Sequence, residues 1–234
     1  MQLFFADNIE SDFCTLSEEE SAHCVKVLRL GVGDTVSVTD GNGTLCHCHI
    51  VDAHHKHCTV QIDERVRDFG RHSFHLHLAV APTKNSARME WLMEKVVEMG
   101  IDRFTPIVCQ HSERSVLKRE RLEKIAVSAL KQSQKAFKPI IDAPTPLADL
   151  MRQPFDGEKY IAYCNGEIRV PLRDVYTAGA DALILIGPEG DFSDDEVEEA
   201  LKSGFKPVTL GQYRLRTETA ALTAVAFFNM MSGD

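Results

Sequence analysis

The spacing of hydrophobic and polar positions changes once along the chain. Between Thr35 and Ile62, short stretches alternate apolar and polar residues: Thr35 to Thr39, Thr44 to Val51 and Cys58 to Ile62, with Asp40-Gly41-Asn42-Gly43 between the first two. Period-two alternation broken by Gly-rich turns predicts a hairpin-rich β module. A short amphipathic helix is expected before it over Ser17 to Leu28, with Ser17 as N-cap and Glu20 closing a capping box. Around Asp68-Phe69-Gly70 the pattern switches to apolar runs separated by helical periods. Strands are predicted at Ser73 to Ala81, Arg103 to Cys109, Lys159 to Cys164, Ala182 to Ile186 and Pro207 to Leu210. Between the first two, Met89, Leu92, Met93, Val96 and Val97 fall at i, i+3, i+4, i+7 and i+8, with Ser86 to cap the helix and Gly100 to end it. A further helix over Arg119 to Ala136 places Leu122, Ile125, Ala126, Ala129 and Leu130 on one stripe. Strands alternating with helices predict an α/β unit with a mostly parallel sheet. The domain boundary is placed near residue 70, giving a β module over 1–70 and an α/β domain over 71–234.

Composition adds compartment and partner. At 234 residues, 44% hydrophobic and 26% charged, the chain can bury a real core, and no apolar run approaches the roughly 18 to 20 residues of a membrane span. The opening Met1-Gln2-Leu3-Phe4-Phe5-Ala6-Asp7 lacks the basic and apolar regions of a secretory signal, so a cytoplasmic protein without a membrane partner is expected. Seven cysteines, an odd count, point to reduced thiols rather than a disulfide framework.

The net charge of −9 argues, as an average, against nucleic acid, yet its distribution argues the other way. Residues 1–70 carry 5 basic and 12 acidic side chains, 71–140 carry 13 and 7, and 141–234 carry 8 and 16. On the helix from Arg119, the residues Arg121, Lys124, Ser128, Lys131 and Lys135 form a second stripe, which reads either as a phosphate-binding face or as a solvated one.

Two loops hold the candidate chemistry. Leu183-Ile184-Leu185-Ile186 runs into Gly187-Pro188-Glu189-Gly190 and then a helix capped by Ser193 with Glu196 in the capping-box position. Ligands of open α/β sheets bind at such carboxyl ends of strands, and Gly187 and Gly190 allow close backbone approach. Val208-Thr209-Leu210-Gly211, followed by Leu215-Arg216-Thr217-Glu218-Thr219-Ala220, repeats the arrangement, and two such loops can form one pocket. Arg216 and Glu218 precede a very apolar helix, where they either face a cleft or pair in the core. The Gly-rich dinucleotide fingerprint and the phosphate loop ending in Gly-Lys-Ser/Thr are both missing, which disfavours Rossmann dehydrogenases, methyltransferases with a Gly-rich first turn, and P-loop NTPases. Cys46-His47-Cys48-His49, with His54, His55, His57 and Cys58, reads as a zinc site or as a two-faced strand; its spacing fits no familiar ligand pattern, so no metal is assigned.

These residues resemble the RsmE family of 16S ribosomal RNA uracil-N3 methyltransferases, within the SPOUT superfamily, over essentially the whole chain. The resemblance rests on His23 with Val27-Leu28-Arg29-Leu30 and Gly33-Asp34, Lys84 with Met89-Glu90 and Glu98-Met99-Gly100, and Ser112-Glu113-Arg114-Ser115. It continues through Lys131-Gln132-Ser133, Ile186 to Gly190, and Leu210-Gly211 with Leu215 to Ala220. It implies an N-terminal PUA-like RNA-binding β-barrel, a C-terminal SPOUT α/β domain with a deep trefoil knot, S-adenosylmethionine as methyl donor, and a homodimer acting on 16S ribosomal RNA or the small ribosomal subunit. Carried onto this chain, it implies a cofactor site at Ile186, Gly187, Pro188, Gly190, Leu210, Gly211, Leu215, Arg216, Thr219 and Ala220. Arg216 would stabilise charge on uracil, while Glu218 or Glu189 would accept or orient the N3 proton. Arg29, Lys84, Arg114, Lys124, Lys131 and Lys135 would meet phosphates. Alternatives are another RNA acceptor or a non-catalytic RNA-binding protein. Members often carry Gln-Cys/Ser-Gly-Arg where this chain has Gln132-Ser133-Gln134-Lys135, which exchanges a planar two-pronged donor for a point charge.

Overall fold

Alternating burial explains the first sheet. Along Thr35–Thr39 and Leu45–Asp52 the apolar side chains Val36, Val38, Cys46, Cys48 and Ile50 are buried, while His47 and His49 of the second strand are half-exposed. In the computed structural model, which describes residues 2–9, 11–113, 117–163 and 170–233, these strands are β3 and β4. They join β1 (Leu3–Phe5), β2 (Phe13–Thr15) and β5 (Thr59–Val66) in the order β1-β3-β4-β5-β2. Pairing is antiparallel except between β1 and β3. Among the described residues nothing pairs β1 with β2, so the expected barrel is an open half-barrel. Cys14, Cys24, Cys46, Cys48 and Cys58 lie in its apolar core as free thiols, and burial pushes Cys24 and Cys48 up to about 12.

The early helix is shorter than expected. Ser17 caps α1 (Glu18–Ala22) by accepting from the Glu20 N–H, and the chain then widens into a π turn over His23–Val27. Glu20 does not complete the capping box, because its carboxylate is buried and accepts instead from Lys131.

The second sheet is parallel: β12 (Lys206–Val208), β10 (Glu158–Ala162), β11 (Ala182–Ile186), β6 (Leu76–Val80), β7 (Arg103–Val108) and β8 (Ile140–Ile141), in that order, with β9 (Thr145–Pro146) beside β7. β6 and β11 are buried at every position, as strands covered on both faces must be. On one face Leu183 and Leu185 pack with Leu147 and Leu150 of α4 (Leu147–Met151) and Ala200 of α5 (Asp194–Lys202). α6 (Thr217–Ser232) packs on β6, β11 and α2 (Ser86–Met99). The cap of α2 is Asn85, which accepts from the Ala87 N–H, rather than the expected Ser86, and Gly100 ends the helix at φ 112°.

α3 spans Arg119–Gln132 and stops short of Ala136. Gln134 turns left-handed at φ 56°, and the Lys135 N–H donates back to the Leu130 carbonyl (3.1 Å). The chain divides into two compact units, Met1–Arg71 with Val127–Lys138, and His72–Ala126 with Pro139–Asp234. In the first, Phe137 covers Gly43, where an added Cβ would come within 2.3 Å of the ring, and the Lys138 N–H donates to the Gly41 carbonyl (2.8 Å).

Candidate active site

The carboxyl ends of β10, β11 and β12 lie side by side, Ala162 being in register with both Ile186 and Val208. A parallel sheet exposes its chain turns at such an end. After Ile186 the backbone turns tightly, with the Asp191 N–H donating to the Pro188 carbonyl (3.0 Å) and Asp191 left-handed at φ 64°. Gly187 lies against Phe192, whose ring would come within 3.0 Å of an added Cβ. Ser193 and Glu196 then form the expected reciprocal capping box at α5. The second loop is bound to the first by the Thr217 hydroxyl, which donates to the Gly187 carbonyl (3.0 Å).

Between the loops is a cavity of about 300 Å³. Ile186, Gly187, Pro188, Glu189, Leu210, Gly211, Leu215, Arg216 and Ala220 line it, so nine of the expected site residues meet on one wall. Gly190, Glu218 and Thr219 do not. Ala162, Tyr163, Asp191, Val208, Thr209, Tyr213, Arg214 and Thr217 also contribute. The alternation of residues 159–164 predicts a strand there but gives no sign that it lies between the two loop-bearing strands. The Tyr163 hydroxyl donates to the Asp194 carboxylate (3.2 Å), and burial, with that bond, holds the phenol above its ordinary range. Arg216, exposed at the N-cap of α6, has no ion-pair partner among the described residues.

A second, open cavity of about 500 Å³ is lined by Lys84, Asn85, Ser86, Arg88 and Glu189. Glu189 therefore borders both, and its Oε1 accepts from the Lys84 backbone N–H (3.2 Å). Lys84 Nζ lies 2.9 Å from Glu113, which raises the ammonium's pKa. Glu218 is 8% exposed; its Oε1 lies 3.5 Å from Arg88 Nη1, and its Oε2 is buried without a hydrogen-bond partner among the described residues.

The described cations expected to meet RNA belong to both units. Arg29 is exposed at φ 58° in the first unit, and Lys124 is exposed on α3. Two members of the basic stripe are engaged by carboxylates, Arg121 by Glu90 (2.9 Å) and Lys131 by Glu20, so the face is less charged than its sequence. Lys135 is half-buried beyond the end of α3, and Arg114 lies outside the described residues. His54 stacks on His57 (3.8 Å) and His49 pairs with Asp63 (2.8 Å).

Comparison with known proteins agrees with this architecture. A family model for an RNA methyltransferase domain matches residues 71–229, and one for an RNA methyltransferase PUA domain matches 16–63. Ribosomal RNA small subunit methyltransferase E of Rickettsia conorii is 30% identical over 220 residues, covering 93% of this chain and 89% of its own length. That of Buchnera aphidicola is 26% identical over 240 residues, covering 100% and 94%. A crystal structure of a probable rRNA-methyltransferase from Porphyromonas gingivalis superposes with TM-score 0.93 at 43% identity, covering 100% of this chain and 99% of that one. A protein from Legionella pneumophila, solved in complex with bound SAM, superposes with TM-score 0.86 at 27% identity, covering 98% and 96%.

Proposed function

Because this chain belongs to the RNA methyltransferase family that includes ribosomal RNA small subunit methyltransferase E, we propose that it methylates N3 of a uridine in 16S ribosomal RNA, using S-adenosylmethionine. The observation that carries the reading is the single cavity that both strand-end loops line. Its residues fit the cofactor: Ile186, Leu210, Leu215 and Ala220 offer an apolar face to adenine, the glycines let backbone groups approach, and Asp191 and Thr209 offer oxygens to hydroxyl or ammonium groups. The volume lies at the lower bound for a small-molecule pocket, about 300 Å³. The bound sulfonium supplies an electrophilic methyl group.

This chain's residues supply alignment and charge. Uracil N3 carries a proton at neutral pH, so Arg216 meets the negative charge that develops on a carbonyl oxygen, and Glu189 on the cavity wall accepts or orients the proton. Glu218, which the resemblance offers for the same role, lies off that wall and is not assigned it. The target is single-stranded or flipped, since N3 is hidden within a base pair, and exposed Lys124, with Arg29, Lys84, Arg114 and Lys135, supplies charge for phosphates, whereas Lys131 is held by Glu20. The same reading includes a homodimer, a trefoil knot at the chain's end and a cytoplasmic site of action; the Thr217–Gly187 bond, which draws the start of α6 to the loop after β11, supports the knot.

The test is incubation with methyl-labelled donor and small ribosomal subunits lacking the modification, followed by mapping of the labelled nucleotide. Label at N3 of one uridine is expected, and Glu189→Ala should lower turnover about a hundredfold or more. Label at a ribose, at another base, or nowhere contradicts the assignment. Unchanged turnover in Glu189→Ala removes the proton-acceptor role.

A further inference from the structure

We propose that Arg88, aimed by the buried carboxylate of Glu218, grips a backbone phosphate beside the nucleotide being methylated; this rests on the RNA methyltransferase reading above. Glu218 stands in the first turn of α6, borders neither cavity and is almost fully buried. One carboxylate oxygen faces Arg88 Nη1 at 3.5 Å, and the other is buried without a hydrogen-bond partner among the described residues. Leaving a buried carboxylate half satisfied is costly, so its retention needs a reason other than stability. The reason offered by the geometry is orientation of the guanidinium.

Arg88 is free to do more than pair with Glu218. Its side chain is 36% exposed, and it forms part of the wall of the second cavity. Among the described residues no other carboxylate pairs with it. A guanidinium presents five N–H donors in a planar fork, which matches the oxygens of a phosphate.

The cavity wall favours a phosphate over a base. Its lining of Lys84, Asn85, Ser86, Arg88 and Glu189 includes no aromatic or branched apolar side chain on which a base would stack. Glu189 borders the donor cavity as well, so a phosphate held at Arg88 lies one side chain away from the reaction. The Glu189 carboxylate repels a phosphate towards the Arg88 end, which leaves the attached base on the donor side. Glu218 is then a positioning residue, not a proton acceptor.

The test uses full-length protein, with Arg88→Met, Arg88→Lys, Glu218→Gln and the double variant Arg88→Met/Glu218→Gln. Binding of unmethylated small-subunit RNA is titrated across salt concentrations, and donor binding is measured by calorimetry. Arg88→Met should weaken RNA binding about tenfold and reduce the slope of log affinity against log salt by about 0.7 to 1, the share of one phosphate contact. Donor affinity should stay within about twofold. Arg88→Lys should keep the slope while losing part of the affinity. Glu218→Gln should raise KM for RNA, hold kcat within about threefold, and add little in the Arg88→Met background.

An unchanged salt slope in Arg88→Met overturns the phosphate contact. Glu218→Gln that abolishes turnover at saturating RNA with RNA affinity intact overturns the positioning role. Equal loss of donor affinity in Arg88→Met and Arg88→Lys shows a pair that only packs α6 on α2, and also overturns it. Binding needs no turnover, so a wild-type protein that transfers no methyl to this RNA refutes the activity separately from the subsite.

Discussion

Lys124 and Lys131 share a helix face and differ in consequence. Lys131 approaches Glu20, whose other oxygen, Oε2, has no hydrogen-bond partner among the described residues although the residue is only 9% exposed. Removing the cation strands a buried charge, so Lys131→Met should cost about 3 kcal/mol in chemical denaturation. Lys124 is exposed and unpaired among the described residues, so Lys124→Glu should leave the denaturation midpoint unchanged while weakening RNA binding and its salt dependence. Equal stability in the two variants contradicts this division. Gln134 gives a second case: at φ 56° it takes a backbone shape that suits glycine, the residue often found there in the family it resembles. Gln134→Gly should raise stability by about 0.5 to 1 kcal/mol, and a loss of stability refutes the strain.

At the scale of elements, β6 and β7 are joined by a buried polar chain beneath the sheet's other end. His77 Nε2 lies 2.7 Å from the Thr105 hydroxyl, Thr105 donates to Asp142, and Arg103 clamps Asp142 at 2.7 and 3.0 Å. Burial, with the nearby Arg103 charge, lowers His77 to about 4, so the folded protein holds it neutral while the unfolded chain binds a proton below pH 6.5. The stabilisation is therefore complete above pH 6.5 and is lost as pH falls towards 4, by about 3 kcal/mol. The difference in unfolding free energy between wild type and His77→Gln should shrink across that window; a constant difference excludes His77 as the source. Elements with strong local signals were legible in sequence. β11 was, because five apolar residues meet a Gly-Pro-Glu-Gly turn, and α5 was, because its capping box is local. β8 and β9, two residues each, were not, because only a neighbouring strand makes them strands.

At the scale of the molecule, Val127–Lys138 belongs with the N-terminal unit although the sequence boundary at 70 leaves it in the other. A fragment of residues 1–71 lacks Phe137 over Gly43, the backbone bond from Lys138 to Gly41 and the cation beside Glu20. Its thermal unfolding should begin well below that of the same unit in the full chain, as followed by amide exchange at Val38 and Ile50. Equal protection in the fragment removes any role for the segment.

Local chemistry was settled by the sequence alone: where hydrophobic period changes, which strand ends carry glycine loops, and which serine caps α5. Those features depend on neighbours within one turn or one pleat. Tertiary structure alone decided that β10 lies between β11 and β12, that both loops border one cavity, and that Glu218 is turned away from it towards Arg88. The physical reason is that strand order and the pairing of buried charges depend on which distant segments close upon one another, and residue spacing carries no record of that closure.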